Sequence, residues 1–380
     1  MKLAIITLPL HTNYGGLLQA YALQTVLERM GHQVDVVNIK QFSFGLNIPL
    51  RRVVKRLRNR YLEHEDCYVF YERKMKQLAP VIRQHTDRFI HTYIHTRDMY
   101  ALTSIRRNDY DGFVVGSDQV WRPVFFPQIG RAYLDFTAGW DVLRVAYAAS
   151  FGVDDAEYSD REIRQCRDAI SRFNGVSVRE CSGVELCKQY FSVEPEWVLD
   201  PTMLLERVDY ERIIADTKAP DSAGDFFYYI LDETEAARQF SESLAASQGM
   251  TLFRLNAFSG NKIVPVTERI QPPVESWLKA FSDAKLVVTD SFHACVFSIL
   301  FHKPFYVLPN QGRGMSRIES LLKVFGLEHR LLLQFEINDE QKAIDWDKVD
   351  RQLETWRKKS QQFLVRSLSD AHFSKAQAIT

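Results

Sequence analysis

Lys285 to Leu308 reads KLVVTDSFHACVFSILFHKPFYVL, and its parsing decides the fold. Leu286, Val287 and Val288 form an apolar, β-branched run of the kind that makes a strand buried on both faces. Thr289, Asp290 and Ser291 end it with short side chains that accept from free helix N–H groups, so a helix is capped here. Phe292 to Phe301 suits a buried helix. Lys303-Pro304 stops it before a second strand, Phe305 to Leu308. His293 then falls in the first helical turn, at the carboxyl end of a parallel strand. Open α/β sheets bind ligands there, because free N–H groups and the helix dipole favour anions. A lone histidine at such a turn more often just satisfies the backbone; the strand-to-helix context favours function here.

The same rhythm extends outward. Lys2 to Leu8 reads as a first strand, followed by the HTNYGG loop, a helix from Leu17 to Met30 and a strand from Val34 to Ile39. Asn13, Gly15 and Gly16 let the backbone approach a ligand closely, with a plain tight turn as the near-even alternative. YDGFVVGSDQVW, Tyr110 to Trp121, is a strand whose turn places Ser117, Asp118 and Gln119 towards the same cleft. Asp118 suits a base or a hydroxyl-orienting carboxylate, and equally a helix cap. SVRE puts Arg179 at a strand end, where a guanidinium grips a phosphate or carboxylate with two bonds or pairs with a nearby acid. A second block begins near Asp225. The stretch Gly312 to Leu327 is a glycine-rich loop entering a helix capped by Ser316, with Arg313 and Arg317 at its start for an anion.

Residues 41 to 105 break this rhythm and read as a helical insertion. Within it RRVVKRLRNR, Arg51 to Arg60, holds six cations and no acid. The plain reading is a solvated helix face. The sharper one is a patch meeting an anionic membrane surface or a phosphate-bearing acceptor. Val53, Val54 and Leu57 give the run an apolar side.

The chain is therefore α/β, with two Rossmann-like domains facing across a cleft. Residues 1–205 form the first domain, with its insertion at about 41–105. Residues 206–345 form the second, and 346–380 a closing helix and tail. Its 380 residues suit two domains, and 46% hydrophobic with 25% charged residues supports a packed core. Equal counts of 48 basic and 48 acidic residues argue against a nucleic-acid binder. Five cysteines without a C-x-x-C suggest a reducing, cytoplasmic setting with neither a disulfide framework nor a zinc site. No segment approaches the roughly 18 apolar residues of a membrane span. No metal and no cofactor are expected, although Asp118 and Asp290 leave a divalent ion conceivable.

NYGGLLQAYALQ, DGFVVGSDQVW, SVRE, VLDPTMLL, TDSFHACVFSILFHKPF and SRIESLLKVFGL together resemble the polysaccharide pyruvyl transferase family, in its order and from about Leu3 to Leu327. The resemblance implies a glycosyltransferase-B-like fold. It also implies transfer of a pyruvyl group from phosphoenolpyruvate to a sugar diol of a surface polysaccharide or its precursor, forming a cyclic ketal. The family histidine matches His293 and the arginine of its SxRE-like motif matches Arg179. Many members carry an arginine two residues before the histidine; here Ser291 stands there, so Arg317, Arg313 or Lys303 is expected to supply that anion contact. Asp118 is the candidate base towards an acceptor that is polymeric, lipid-linked or nucleotide-linked. Two alternatives remain. One is a nucleotide-sugar glycosyltransferase, for which Glu319 is the one well-placed acid. The other is a non-catalytic glycan-assembly protein docking through the basic run.

Overall fold

The computed structural model describes residues 1–40, 50–126, 128–155, 157–310, 312, 314–337 and 343–369. Arg313, part of the expected insertion and the tail beyond 369 lie outside them. In the first half the elements are β1 (Lys2–Ile6), α1 (Tyr14–Arg29), β2 (Gln33–Ile39), α2 (Leu50–Tyr61), α3 (Tyr71–Ile82), α4 (Gln84–Tyr93), β3 (Thr96–Met99) and β4 (Gly112–Val115). Then come α5 (Ile129–Ala132), β5 (Leu143–Ala149), α6 (Asp160–Ile170), β6 (Gly175–Val178), α7 (Cys181–Leu186) and β7 (Glu196–Trp197). Helix α8 (Arg207–Thr217) leads into β8 (Phe226–Tyr229), α9 (Glu235–Ser247), β9 (Leu252–Phe253), α10 (Val274–Asp283), β10 (Leu286–Thr289), α11 (Phe292–Leu300) and β11 (Phe305–Val307). Helices α12 (Ser316–Phe325) and α13 (Trp346–Leu368) complete the chain.

Two wholly parallel sheets result, ordered β3-β2-β1-β4-β5-β6-β7 and β11-β10-β8-β9. Strands β4, β5, β8 and β10 are buried at every residue, which is why they are apolar apart from Arg144 and Thr289. Strand order reverses between β1 and β4 in the first sheet and between β8 and β10 in the second. A crevice opens at the carboxyl ends of such reversal points, and the two crevices face each other.

The halves are firmly joined. Tyr14 of α1 stacks on Trp277 of α10 with ring centroids 5.3 Å apart and donates its hydroxyl to Pro272 O at 2.8 Å. Cys181 N donates to Ser320 Oγ at 3.0 Å. Gly152 and Gly314, both at positive φ, meet so closely that a side chain on Gly314 would strike the Gly152 carbonyl.

One expectation changes here. The expected helical insertion also contains a strand, β3, which pairs with β2 and forms the sheet edge. The closing helix returns to the first domain: Ser360 Oγ accepts from Leu199 N at 3.0 Å, Arg357 donates to the carbonyls of Met203 and Leu205, and Phe363 packs on Tyr147.

Candidate functional site

Helix α11 begins directly after β10, and Ser291 at its N-cap makes no side-chain cap bond. Helix α12 begins after Met315, again without a side-chain cap. Ser316, expected to cap it, is its first helical residue, and no partner is found for its hydroxyl. Both helix starts border one cavity of about 320 Å³, whose lining includes Asn13, Asp118, Gln119, Ser291, His293 and Arg317. Uncapped first turns leave N–H groups and positive dipole ends for an anion.

Beneath this cavity lies a buried charge cluster. Arg179 is fully buried and donates to Asp200 Oδ2 at 2.7 Å, Asp118 Oδ1 at 3.1 Å and Ser117 Oγ at 3.4 Å. Its guanidinium stacks over Phe292 at 4.7 Å. Asp200 also accepts from Thr202 N at 3.0 Å, Thr202 Oγ1 at 2.7 Å and Ser117 Oγ at 3.0 Å. Burial alone would raise the pKa of Asp200. His293, Arg179 and Thr202 outweigh it and hold the carboxyl well below the usual range. The same contest at Asp118, burial against Arg179, His293 and Arg317, also ends with a lowered pKa. Asp118 is thus a carboxylate at the edge of the cavity, held in the left-handed backbone region at φ 62°.

Glu180 goes the other way. Its burial is complete, and Arg179 and Arg317 only partly offset the penalty, so its pKa is raised. Its Oε1 accepts from Phe151 N at 2.8 Å. Arg317, buried and next to Arg179, has its pKa pushed down to about 10 by burial and by that neighbouring cation.

His293 Nε2 stands 3.7 Å from Asp200 Oδ2, an ion-pair separation just beyond hydrogen-bond length. The other edge of the ring lies against Gly15 of α1. One imidazole is therefore placed by a carboxylate and a glycine of the first domain while belonging to the second.

A family model described as polysaccharide pyruvyl transferase matches residues 13–312. The chain belongs to the polysaccharide pyruvyl transferase family. No curated protein matches it. Solved structures that align along the chain include the UDP-GlcNAc 2-epimerase of Neisseria meningitidis bound to UDP-GlcNAc, at 10% identity over 97% of this chain and 99% of that one, with a TM-score of 0.49. Arabidopsis thaliana UGT89C1 complexed with UDP-L-rhamnose aligns at 9% identity over 95% and 94%, with a TM-score of 0.46. The E. coli heptosyltransferase WaaC with ADP aligns at 12% over 93% and 99%, with a TM-score of 0.39.

In this member of the pyruvyl transferase family the residues singled out from sequence divide into three groups. Asn13, Asp118, Gln119, Asp290, Ser291, His293 and Arg317 share the cavity wall. Gly15, Gly16, Ser117 and Arg179 lie behind it. Gly15 admits His293 rather than a ligand, and Gly16 N donates to Asn13 Oδ1 at 3.2 Å. Ser117 is wholly buried, with its hydroxyl among Ala148 O, Asp200 and Arg179. Arg179 does not present a two-pronged grip to an anion; its bonds go to the buried acids and fix them. Lys303 stands apart, donating to Ser282 O at 2.8 Å beyond the far end of α11. Asp290 holds its neighbouring loops, accepting from Leu231 N at 2.7 Å and Asn310 Nδ2 at 2.7 Å.

Asp200, Glu180, Arg122 and Phe292 were not among the expected site residues. Asp200 carried the same signal as Asp118, an acid ending a strand, here followed by Pro201-Thr202. Arg122 lines the cavity while paired with Glu157 at 2.9 Å.

Proposed function

We propose that the protein moves a pyruvyl group from phosphoenolpyruvate to a sugar diol of a surface polysaccharide or its precursor, closing a cyclic ketal and releasing phosphate. The observation that carries this reading is the convergence of two uncapped helix starts, Arg317, Arg122 and His293 on one cavity, which Asp118, Asp232 and Asp290 also border. A small donor with both a phosphate and a carboxylate calls for such a set of N–H groups and cations.

The chemistry follows from the placement. His293, oriented by Asp200, donates a proton to the enol methylene of the donor, so that the adjoining carbon becomes electrophilic. A sugar hydroxyl attacks that carbon as Asp118 takes the hydroxyl proton. The second hydroxyl then closes the ring, the bond to the phosphate oxygen breaks, and phosphate leaves with the remaining proton. Proton return from Asp118 to His293 through solvent resets the site. A positioned acid or base of this kind contributes roughly 10²–10⁴-fold.

The acceptor has a place beside the donor. A groove of about 450 Å³ at the carboxyl ends of β1, β2 and β3 is lined by Asn38, His91, the ion pairs Lys40–Asp98 and Arg83–Asp87, and Leu10 and Ile39. Mixed polar groups beside apolar strips suit the hydroxyls and carbon faces of a sugar ring. His11 lies in this groove and Asn13, two residues on, in the donor cavity.

Incubation of the purified protein with phosphoenolpyruvate and a panel of sugar acceptors tests the reading. Phosphate release matched by a pyruvyl mass gain on one acceptor is expected. Thermal stabilisation by a nucleotide sugar and none by phosphoenolpyruvate would overturn it.

A further inference from the structure

Helix α2 is built inside out. Amphipathic helices on a protein surface ordinarily turn the apolar stripe inward and the charges outward. Here Arg56 faces inward and makes a two-pronged pair with Glu72 of α3, at 2.6 and 2.8 Å. Arg60 donates to Cys67 O at 3.1 Å. Val54, Leu57 and Tyr61, spaced three and four apart on one face, are 55%, 39% and 67% exposed. Leu62 and Phe70, in the turn that follows, are 74% and 56% exposed. The fold does not use this stripe.

The helix itself is cationic. Arg51, Arg52, Lys55 and Arg58 flank the stripe and are exposed, and the helix carries no acid; the exposed acids Glu63, Glu65 and Asp66 come only in the turn after it, where Glu63 pairs with Arg58 at 3.2 Å. Where α2 leads into α3, a cavity of about 320 Å³ is walled by Arg60, Arg73 and Lys74 with Tyr68 and Phe70, and no carboxylate lines it. Apolar side chains ringed by cations, beside a cationic hollow wide enough for a phosphate, match an anionic bilayer in both of its layers. A purely polar anion would leave the stripe in water, and an apolar protein partner would leave Arg51, Arg52 and Lys55 without a counter-charge.

We infer that the α2–α3 face docks on an anionic lipid bilayer, with Val54, Leu57, Tyr61 and Leu62 inserted at the interface and the Arg60, Arg73 and Lys74 hollow receiving a lipid phosphate. Among the described residues no helix is long and apolar enough to cross a membrane, so the attachment is peripheral. Helix α3 also carries Lys76, Ala79 and Pro80 of the acceptor groove, which brings that groove to the lipid surface. The inference does not depend on the reaction proposed above.

Co-sedimentation of the full chain with vesicles tests it. Binding is expected to vesicles of phosphatidylcholine mixed with phosphatidylglycerol, not to phosphatidylcholine alone, and to weaken as salt is raised. Val54→Ser, Leu57→Ser and Tyr61→Ser combined should lower the bound fraction at least about tenfold. Arg73→Gln with Lys74→Gln should lower affinity roughly thirtyfold, at about a fivefold loss per cation. Melting temperature and turnover on a soluble acceptor should stay unchanged in both. Three results overturn the proposal: no binding to the anionic vesicles, equal binding to the neutral ones, or wild-type binding by the triple variant. A dimer that the triple variant dissolves, with no vesicle binding by the parent, overturns it in favour of a second copy of the chain.

Discussion

Gly15 and His293 meet across the domain boundary with no room for a side chain on the glycine. A Cβ built on Gly15 would fall inside the contact distance of His293 Nδ1, Cγ and Cε1 alike. The first domain thus sets the position of the second domain's imidazole through the absence of a side chain. Gly15→Ala would ordinarily help a helix by roughly 0.5–1 kcal/mol. Here it should push the ring off Asp200, and a 1 Å misplacement costs on the order of 10²-fold in rate. Turnover with phosphoenolpyruvate should fall by about that factor without a rise in melting temperature. Near-parental turnover would show that the ring's seat is not what matters.

His293→Gln should keep the fold and lose roughly 10²–10⁴-fold in kcat. The companion measurement is donor binding by calorimetry, which should change far less than turnover. A variant that binds poorly but turns over normally when saturated would assign His293 to binding alone.

Asp200→Asn should be the most destabilising change in the cluster. It withdraws a counter-charge from the wholly buried Arg179, and breaking such a pair costs about 3–5 kcal/mol. Asp118→Asn should cost less, because Arg179 keeps Asp200. The pKa of Asp200 is lowered on folding. Its contribution is therefore present above the unfolded value of about 3.9 and disappears as pH falls through the lower folded one. Denaturant melts should show a wide gap between parent and Asp200→Asn at pH 7 and a narrower one at pH 3. A gap that is constant with pH would contradict the assignment.

Glu180→Gln carries the opposite sign. The pKa of Glu180 is raised on folding, so its contribution is full below the unfolded value of about 4.3 and is lost as pH rises through the folded one. Glutamine keeps an oxygen for Phe151 N without the buried charge. Relative to the parent, the variant should gain stability between pH 4 and pH 8. Equal stability across that range would mean that the protein already neutralises the charge.

Arg317→Gln should raise KM for phosphoenolpyruvate by roughly 10–100-fold, the worth of a charge-assisted hydrogen bond, with a smaller effect on kcat. With the guanidinium pKa lowered to about 10, the parent's KM should be flat through neutral pH and rise above about 10. A KM unchanged in Arg317→Gln would leave the helix starts as the whole of the anion site.

The sequence by itself pointed to the parallel sheets, because a strand buried on both faces must be mostly apolar, and β4, β5, β8 and β10 are, with Arg144 and Thr289 as the polar exceptions that find buried oxygen partners. It also placed His293 at a strand-to-helix turn, since that depends on near neighbours in the chain. The place of Lys303, expected at the anion, was not legible: α11 ends at Leu300 and the lysine turns to Ser282 O instead. Only the tertiary structure decided which charges meet. Asp200 and Arg179, each ordinary in its own segment, neutralise one another beneath the cavity, so anion binding passes to Arg317 and the helix starts. The same holds for α2, whose sequence shows two faces and not which one the fold covers. That choice rests on Glu72, which draws Arg56 inward and leaves Val54 and Leu57 outside. Local pattern is set by backbone hydrogen bonding and burial period; the pairing of distant side chains is set by how the packed layers come together.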